Sequence, residues 1–250
     1  MRRFFLEPHH CTGNEVRLTS EEAHHAANVL RIRVGEKVAV LDGAGQECHC
    51  VVLTVDQDLI RLSVVARNRL PVSTCRLWLV QALIKGKAMD WVIQKATELG
   101  AERIITVKAD RSVAQVEDEA VELRLTKWNV IAIEAIKQCG SPWLPKIDAP
   151  ASVEVCQRKL DAADLVLLAS LESARKHPRQ WVDQFRSEKG RAPNVIAIWI
   201  GPEGDFTPQE TNSIESAGAL PISLGPLVLR SETAAVYALS VLNYEMQAQG

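Results

Sequence analysis

Trp199-Ile200-Gly201-Pro202-Glu203-Gly204-Asp205-Phe206, followed about twenty residues later by Leu224-Gly225-Pro226-Leu227-Val228-Leu229-Arg230-Ser231-Glu232-Thr233-Ala234, decides the reading of this chain. The run Val195–Ile200 is apolar at every position, as a strand covered on both faces requires, and it stops at a Gly-Pro-Glu-Gly turn. A second run breaks at Leu224-Gly225-Pro226 before a helix begins. In α/β proteins, ligands sit beyond the carboxyl ends of strands that break in this way. Gly201 and Gly204 let the backbone turn tightly and let a flat ring or a ribose approach the main chain. Two glycines alone serve many strand-to-helix turns, so the weight rests on the two segments together. Neither Gly-x-Gly-x-x-Gly nor a Gly-Lys-Ser/Thr loop occurs, which disfavours dinucleotide and nucleoside-triphosphate chemistry.

Outward from these segments, strands and helices alternate. Leu77–Ile84 reads as a strand, and Met89, Val92, Ile93, Ala96 and Leu99 form an apolar stripe at helical spacing that stops at Gly100. A strand at Ile104–Val107, a helix over Glu117–Gln138, a strand at Leu165–Ala169 and a helix near Pro178–Phe185 follow. Thr207-Pro208-Gln209-Glu210 carries a capping box with proline in the first helical position, and a last helix spans Ser231–Gln247. The pattern predicts an α/β domain over residues 73–250 with a parallel sheet covered on both faces. Residues 1–72 read differently. Thr19 and Glu22 have capping-box spacing for a helix reaching Leu30, and strands at Val34–Leu41, Glu47–Val55 and Leu59–Val65 make a meander of the kind that closes into a small barrel. Arg67–Ser73 reads as a linker.

Composition narrows the class. With 250 residues, 47% of them hydrophobic, the chain has enough apolar material for one large core or two smaller ones. No apolar stretch approaches the roughly 18 residues of a membrane span, and Phe4-Phe5-Leu6 turns polar at Glu7-Pro8-His9-His10 before a signal peptide's apolar core can form. No membrane association and a cytoplasmic location are therefore expected. The six cysteines contain no Cys-x-x-Cys pair and read as reduced thiols. Cys48-His49-Cys50, with His9, His10, His24 and His25, supplies ligand-type residues, yet on a strand Cys48 and Cys50 simply share a face, so no metal is expected. A net charge of −2 does not announce a nucleic-acid binder. Any RNA would have to meet local patches, of which Arg2, Arg3, Arg31 and Arg33 form the clearest, and ordinary solvated arginines fit the same pattern.

The paired segments Ile200–Gly204 and Leu224–Ala234 resemble the C-terminal signature of the SPOUT methyltransferases, and specifically of the RsmE family. The resemblance extends through Lys85–Asp90, Gln94–Gly100, Asp110–Val113, Glu134-Ala135 and Gln138–Gly140, and so covers essentially the whole chain. It implies a PUA-like RNA-binding β-barrel over residues 1–72, followed by a SPOUT α/β-knot domain over residues 73–250 whose C-terminal segment forms a trefoil knot. General chain-topology rules disfavour knots, so that feature rests on the resemblance alone. The implied activity is S-adenosyl-L-methionine-dependent methylation of uracil N3 of a uridine in small-subunit (16S) ribosomal RNA. The RNA or the assembled 30S subunit is then the partner, and the protein is a homodimer.

Carried over residue by residue, the cofactor contacts fall on Ile200, Gly201, Pro202, Glu203, Gly204, Leu224, Gly225, Leu227, Leu229, Ser231, Thr233 and Ala234. Arg111 and Arg230 are candidates to stabilise a uracil anion, and Glu203 is a candidate base. Plainer roles are a surface arginine, an Arg230 paired with Glu203 or Glu232, and a turn carboxylate that accepts backbone N–H groups. Lys85 and Lys87 join the four N-terminal arginines as RNA-contact candidates, with solvated lysines the alternative. Two departures from the family pattern stand out. Asp205 occupies the place of a more usual glycine, where it either caps the turn or adds charge to the pocket. Ser141-Pro142-Trp143 replaces an arginine found in many relatives, which leaves Lys137 or Arg111 as substitutes and Trp143 as a stacking candidate. That second departure also supports the alternative readings: a non-catalytic RNA-binding or ribosome-assembly protein that keeps the fold, or a SPOUT methyltransferase acting at another RNA position.

Overall fold

A computed structural model describes residues 1–113, 118–171 and 175–247. The chain forms two compact units, one of Met1–Val72 with Ile133–Leu144, the other of Ser73–Ala132 with Pro145–Gly250.

The first unit contains β1 (Arg2–Phe5), β2 (Glu15–Thr19), α1 (Ser20–His24), β3 (Lys37–Leu41), β4 (Gln46–Val55) and β5 (Leu59–Arg69). These strands form one sheet in the order β1-β3-β4-β5-β2, with β1 parallel to β3 and the other pairs antiparallel. Phe4, Val16, Leu18, Val38, Val40, Cys48, Cys50, Ile60 and Leu62 recur at period two and share one buried cluster. Register shifts at His49/Cys50 and Val52/Thr54 bend β4 and curl the sheet around that cluster. The predicted first helix continues as a wider π-type turn over His25–Val29 and ends at Leu30. β5 is longer than the sequence suggested. Arg67 and Arg69 pair with Cys48 and Gln46, so the first three residues of the expected linker are strand. The Arg67 guanidinium donates to the carbonyls of Cys11 and Gly13, which anchors a polar stretch that lacks strand-like alternation.

The remaining part of this unit, Ile133–Leu144, is tied in by charge and by backbone pairing. Arg3 Nη1 donates to the carbonyls of Lys137 (3.3 Å) and Gln138 (3.2 Å), satisfying orphan acceptors at a helix C-terminus where a cation is favoured. Lys137 is itself sealed between Glu22 and Glu134, both at 2.8 Å. Burial alone would lower its pKa, but the bonds from Glu134 and Glu22 raise it overall. Its charge is thus neutralised locally, and it is not the free cation considered as a replacement for the missing arginine. Ser141-Pro142-Trp143 is not a free loop either. The N–H of Gly45 donates to the carbonyl of Pro142 and the N–H of Leu144 to that of Gly43, while the Trp143 ring lies against Gly45. Trp143 anchors this segment to the turn at residues 43–45.

The second unit contains β6 (Arg76–Ala82), α2 (Gly86–Glu98), β7 (Ala101–Val107), α3 (Asp118–Cys139, through Ala132), β8 (Lys146–Ala151), α4 (Val153–Arg158), β9 (Leu165–Ala169), α5 (Pro178–Lys189), β10 (Val195–Ile200), α6 (Pro208–Ser216), β11 (Leu220–Ile222) and α7 (Ser231–Gln247). The expected helix start at Glu117 lies outside the described residues. All six strands are parallel, in the order β11-β9-β10-β6-β7-β8. Every residue of β10 is buried. Val195, Ala197 and Trp199 join a cluster with Cys156 of α4 and Ile214 of α6, and strand alternation turns Ile196, Ile198 and Ile200 to the opposite face.

Candidate active site

Strand order fixes where a ligand belongs. From β6 the chain adds β7 and β8 on one side, then returns to place β10, β9 and β11 on the other, so the order reverses between β6 and β10. Crevices beyond the carboxyl ends at such a reversal are the usual ligand sites of open α/β sheets. A cavity of about 610 Å³ lies there. Its walls include Ile200, Gly201, Pro202 and Glu203 after β10, and Leu224, Gly225, Leu227, Leu229, Arg230, Ser231 and Ala234 around the start of α7. Of the expected cofactor residues, Gly204 and Thr233 stand outside the lining. Ala169, Ser170, Leu171 and Arg175 complete it from the β9 side and were not read from the sequence. The strand end at Ala169 was the available signal, since the strand-end rule applies to β9 as it does to β10.

Side-chain hydrogen bonds hold the loops. The Ser231 hydroxyl donates to the carbonyl of Gly201 at 2.5 Å. Glu210, in the capping box of α6, accepts from the N–H and hydroxyl of Thr207 and also from the N–H of Asp110 at 2.9 Å. That last bond brings the β7–α3 loop to the site. Arg111 follows, and its Nη1 donates to the Gly204 carbonyl at 3.1 Å. Arg111 lines a smaller cavity of about 190 Å³, which shares Ala169, Ser170 and Asp205 with the larger one.

Glu203 and Arg230 border the larger cavity, and both are exposed. Glu203 Oε1 accepts from the Lys85 N–H at 3.4 Å. Among the described residues no ion pair joins Arg230 to Glu203 or Glu232, so the guanidinium is not spent on shaping the loops. Asp205 has φ 58°, a left-handed conformation, and its Oδ1 accepts from the Phe206 N–H at 2.8 Å. Its carboxylate therefore caps the turn. Asp205→Gly relieves the backbone while losing that cap, so thermal melting is expected to register a change within about 0.5 kcal/mol. Asp205→Ala keeps the strain and loses the cap, and is expected to cost about 1–2 kcal/mol. Equal melting of the two variants would refute this account.

The expected RNA residues differ in what engages them within each unit. Arg2 pairs with Glu36 at 2.9 Å, and the same carboxylate accepts from the Arg33 N–H. Arg3 is engaged with the helix end, whereas the side chains of Arg31 and Arg33 are exposed. Lys85 lines the cavity and Lys87 is exposed on the first turn of α2. Among the described residues no group of three or more His, Cys, Asp or Glu side chains gathers as a metal site, and no helix is long and apolar enough to cross a membrane.

The cavity suits a nucleoside-sized ligand. Its volume lies within the ordinary range for small-molecule sites, roughly 300–1,000 Å³. Ile200, Leu224, Leu227 and Leu229 offer apolar walls to a flat ring, and Gly225, at φ +112°, has open space where a Cβ would stand. Among the described residues the amides of Leu227, Val228 and Leu229 have no backbone partner and remain available to a ligand.

Comparison with known proteins agrees with this geometry. The family model described as RNA methyltransferase domain matches residues 71–243, and that described as RNA methyltransferase PUA domain matches residues 18–65. The chain is similar to Ribosomal RNA small subunit methyltransferase E of Bacillus subtilis, 29% identical over 99% of this chain and 98% of the relative. It is also similar to the protein of that name from Mycobacterium tuberculosis, 30% identical over 96% of this chain and 90% of the relative. Among solved structures, Ribosomal RNA small subunit methyltransferase E of Neisseria gonorrhoeae, bound to S-adenosyl methionine, superposes with TM-score 0.84 at 26% identity over 98% of this chain and 97% of that one. A methyltransferase of Legionella pneumophila with bound S-adenosylmethionine gives TM-score 0.86 at 29% identity over 99% and 97%. A domain match over most of the length, a PUA match ahead of it and full-length relatives at this identity place the chain in the RNA methyltransferase family.

Proposed function

We propose that this protein transfers a methyl group from S-adenosylmethionine to N3 of a uridine in small-subunit ribosomal RNA, acting in the cytoplasm as a homodimer. The observation that carries the reading is the cavity that the two signature segments build at the sheet's reversal point, in a chain whose relatives are small-subunit methyltransferases. The same intact cavity argues against a binding-only protein. The trefoil knot, with residues 224–230 threaded as in SPOUT proteins, belongs to this proposal. The homodimer is supported by aromatic and apolar side chains left exposed on α2 and α7 and beside the cavity: Trp91, Tyr237, Tyr244, Leu227 and Val228. Sedimentation equilibrium giving a monomer at micromolar concentration would remove it.

When bound, S-adenosylmethionine supplies an electrophilic methyl carbon on a cationic sulfur. The residues of this chain have four tasks. Ile200, Leu224, Leu227 and Leu229 would hold the cofactor by its adenine, with the free amides of residues 227–229 as donors to it. Arg111 and Arg230 stabilise the negative charge that develops on uracil O2 and O4 as N3 loses its proton. The Glu203 carboxylate takes that proton, which leaves the N3 lone pair ready for the methyl carbon that the cofactor would supply. Arg31, Arg33, Lys85 and Lys87 contact phosphate and hold the register.

The test is transfer of labelled methyl from S-adenosylmethionine to small ribosomal subunits lacking the modification, followed by nucleoside digestion and chromatography. Label in 3-methyluridine is the expected result. Label in another nucleoside would reassign the atom, and no transfer by folded protein would return the binding-only reading.

A further inference from the structure

Resting on the cofactor assignment above, we propose that Gln81 is a positioning residue that holds the two cofactor loops together by fixing the direction of the Ser231 hydroxyl. Gln81 belongs to neither signature segment and does not line the cavity. It lies on β6, fully buried, opposite Ile200 in the parallel register, one residue before Gly201. Its Nε2 donates to the Ala82 carbonyl and to Ser231 Oγ, both at 2.9 Å. Ser231 Oγ in turn donates to the Gly201 carbonyl.

This relay has a single polarity. A hydroxyl carries one proton, and the Gly201 carbonyl can only accept, so the Ser231 proton is committed there. The group at position 81 must then be a donor to Ser231. The Ala82 carbonyl makes the same demand on the second hydrogen of Nε2. Glutamine meets both; glutamate has no N–H and would draw the Ser231 proton to itself, releasing Gly201. Methionine would fill similar space and donate nothing. The amide is poorly suited to a packing role, because its buried Oε1 has no hydrogen-bond partner among the described residues, a cost that an apolar side chain of the same size would avoid. Among the described residues, the Ser231–Gly201 bond is the only hydrogen bond between the two cofactor loops. Gln81 therefore acts through Ser231 on the spacing between residues 201–205 and 224–230.

The experiment compares Gln81→Met, Gln81→Glu, Ser231→Ala and the double variant Gln81→Met/Ser231→Ala. It reads affinity for S-adenosylmethionine and S-adenosylhomocysteine by calorimetry, hydrogen exchange of the loop amides in cofactor-free protein, and kcat at saturating cofactor. Each single variant is expected to weaken both ligands about tenfold, the scale of an unpaired buried acceptor. Loop exchange should quicken while kcat falls less than threefold. The double variant should bind no worse than Ser231→Ala alone, since both substitutions cut one relay. Affinity within twofold of wild type in Gln81→Met, or a double variant that loses the product of the single effects, would overturn the proposal. If the position-81 variants do not fold, Ser231→Ala with wild-type affinity and exchange overturns it equally. Wild-type protein that fails to bind S-adenosylmethionine would instead remove the cofactor assignment itself.

Discussion

Arg111→Ala is expected to reduce methyl transfer at saturating S-adenosylmethionine by about 10²–10³-fold, the usual scale for removing a group aimed at developing charge. Melting temperature and cofactor affinity should change little. The reason for this separation is geometric. Arg111 Nη1 braces the Gly204 carbonyl, but that bond is exposed, and Arg111 lines the smaller cavity and not the larger. An exposed hydrogen bond of this kind contributes about 0.5–1.5 kcal/mol. Most of the loss should therefore appear in the chemical step. Arg111→Lys should recover part of the rate, because the charge returns without the planar fork that holds the Gly204 carbonyl. An alanine variant that methylates at the wild-type rate ends the proposed role. One that loses cofactor affinity in proportion to its rate would show that bracing the Gly201–Asp205 turn is what Arg111 does.

Gly45→Ala should unfold the first unit more readily by about 3 kcal/mol. Two independent costs combine there. Gly45 has φ +97°, where an L-residue is strained by roughly 1–2 kcal/mol. A Cβ would also stand 2.3 Å from the Trp143 ring, inside any tolerable contact, and overpacking of this kind costs about 1–3 kcal/mol. For a unit of this size the melting temperature should fall by more than about 10 °C. Gly35→Ala is the matched control in the same unit, since Gly35 has φ +86° but, among the described residues, nothing within 4 Å of its added Cβ. Pairing Gly45→Ala with Trp143→Ala should recover the overpacking component and leave the backbone strain. If Gly45→Ala melted no lower than Gly35→Ala, the ring contact would carry no weight.

Long periodic elements were legible in the sequence, and elements defined by their neighbours were not. β9 and α7 begin and end where the pattern places them, and the α6 capping box forms as its spacing requires. β8 contains Asp148 and Pro150 and β11 is three residues with Pro221 at its centre, so neither has a run of its own; each is a strand because a parallel neighbour fixes it. The same limit applies to the site. The two strand-end breaks, at residues 201–204 and 224–226, mark a ligand site by their chemistry, and the family resemblance extends it over residues 200–204 and 224–234. The tie between them depends on Gln81, which in sequence is one polar residue in an apolar strand and gains meaning only when Ser231 comes within 2.9 Å. Trp143 was misleading for the opposite reason. A tryptophan in a divergent loop suggests a contact surface, whereas pairing of residues 142–144 with the turn at 43–45 commits it to its own unit.

Ile133–Leu144 also sets the order of events during synthesis. Sixty residues lie between Val72 and Ile133, so the N-terminal unit is continuous in space but interrupted in the gene's reading order. The carbonyls that Arg3 caps, the ammonium that neutralises Glu22 and the ring that covers Gly45 all come from this later segment. As the chain leaves the ribosome N-terminus first, at about 5–20 residues per second, the curled sheet waits several seconds with its last turn unlatched. A fragment cut at the apparent boundary after Val72 keeps every strand of that sheet and lacks what completes it.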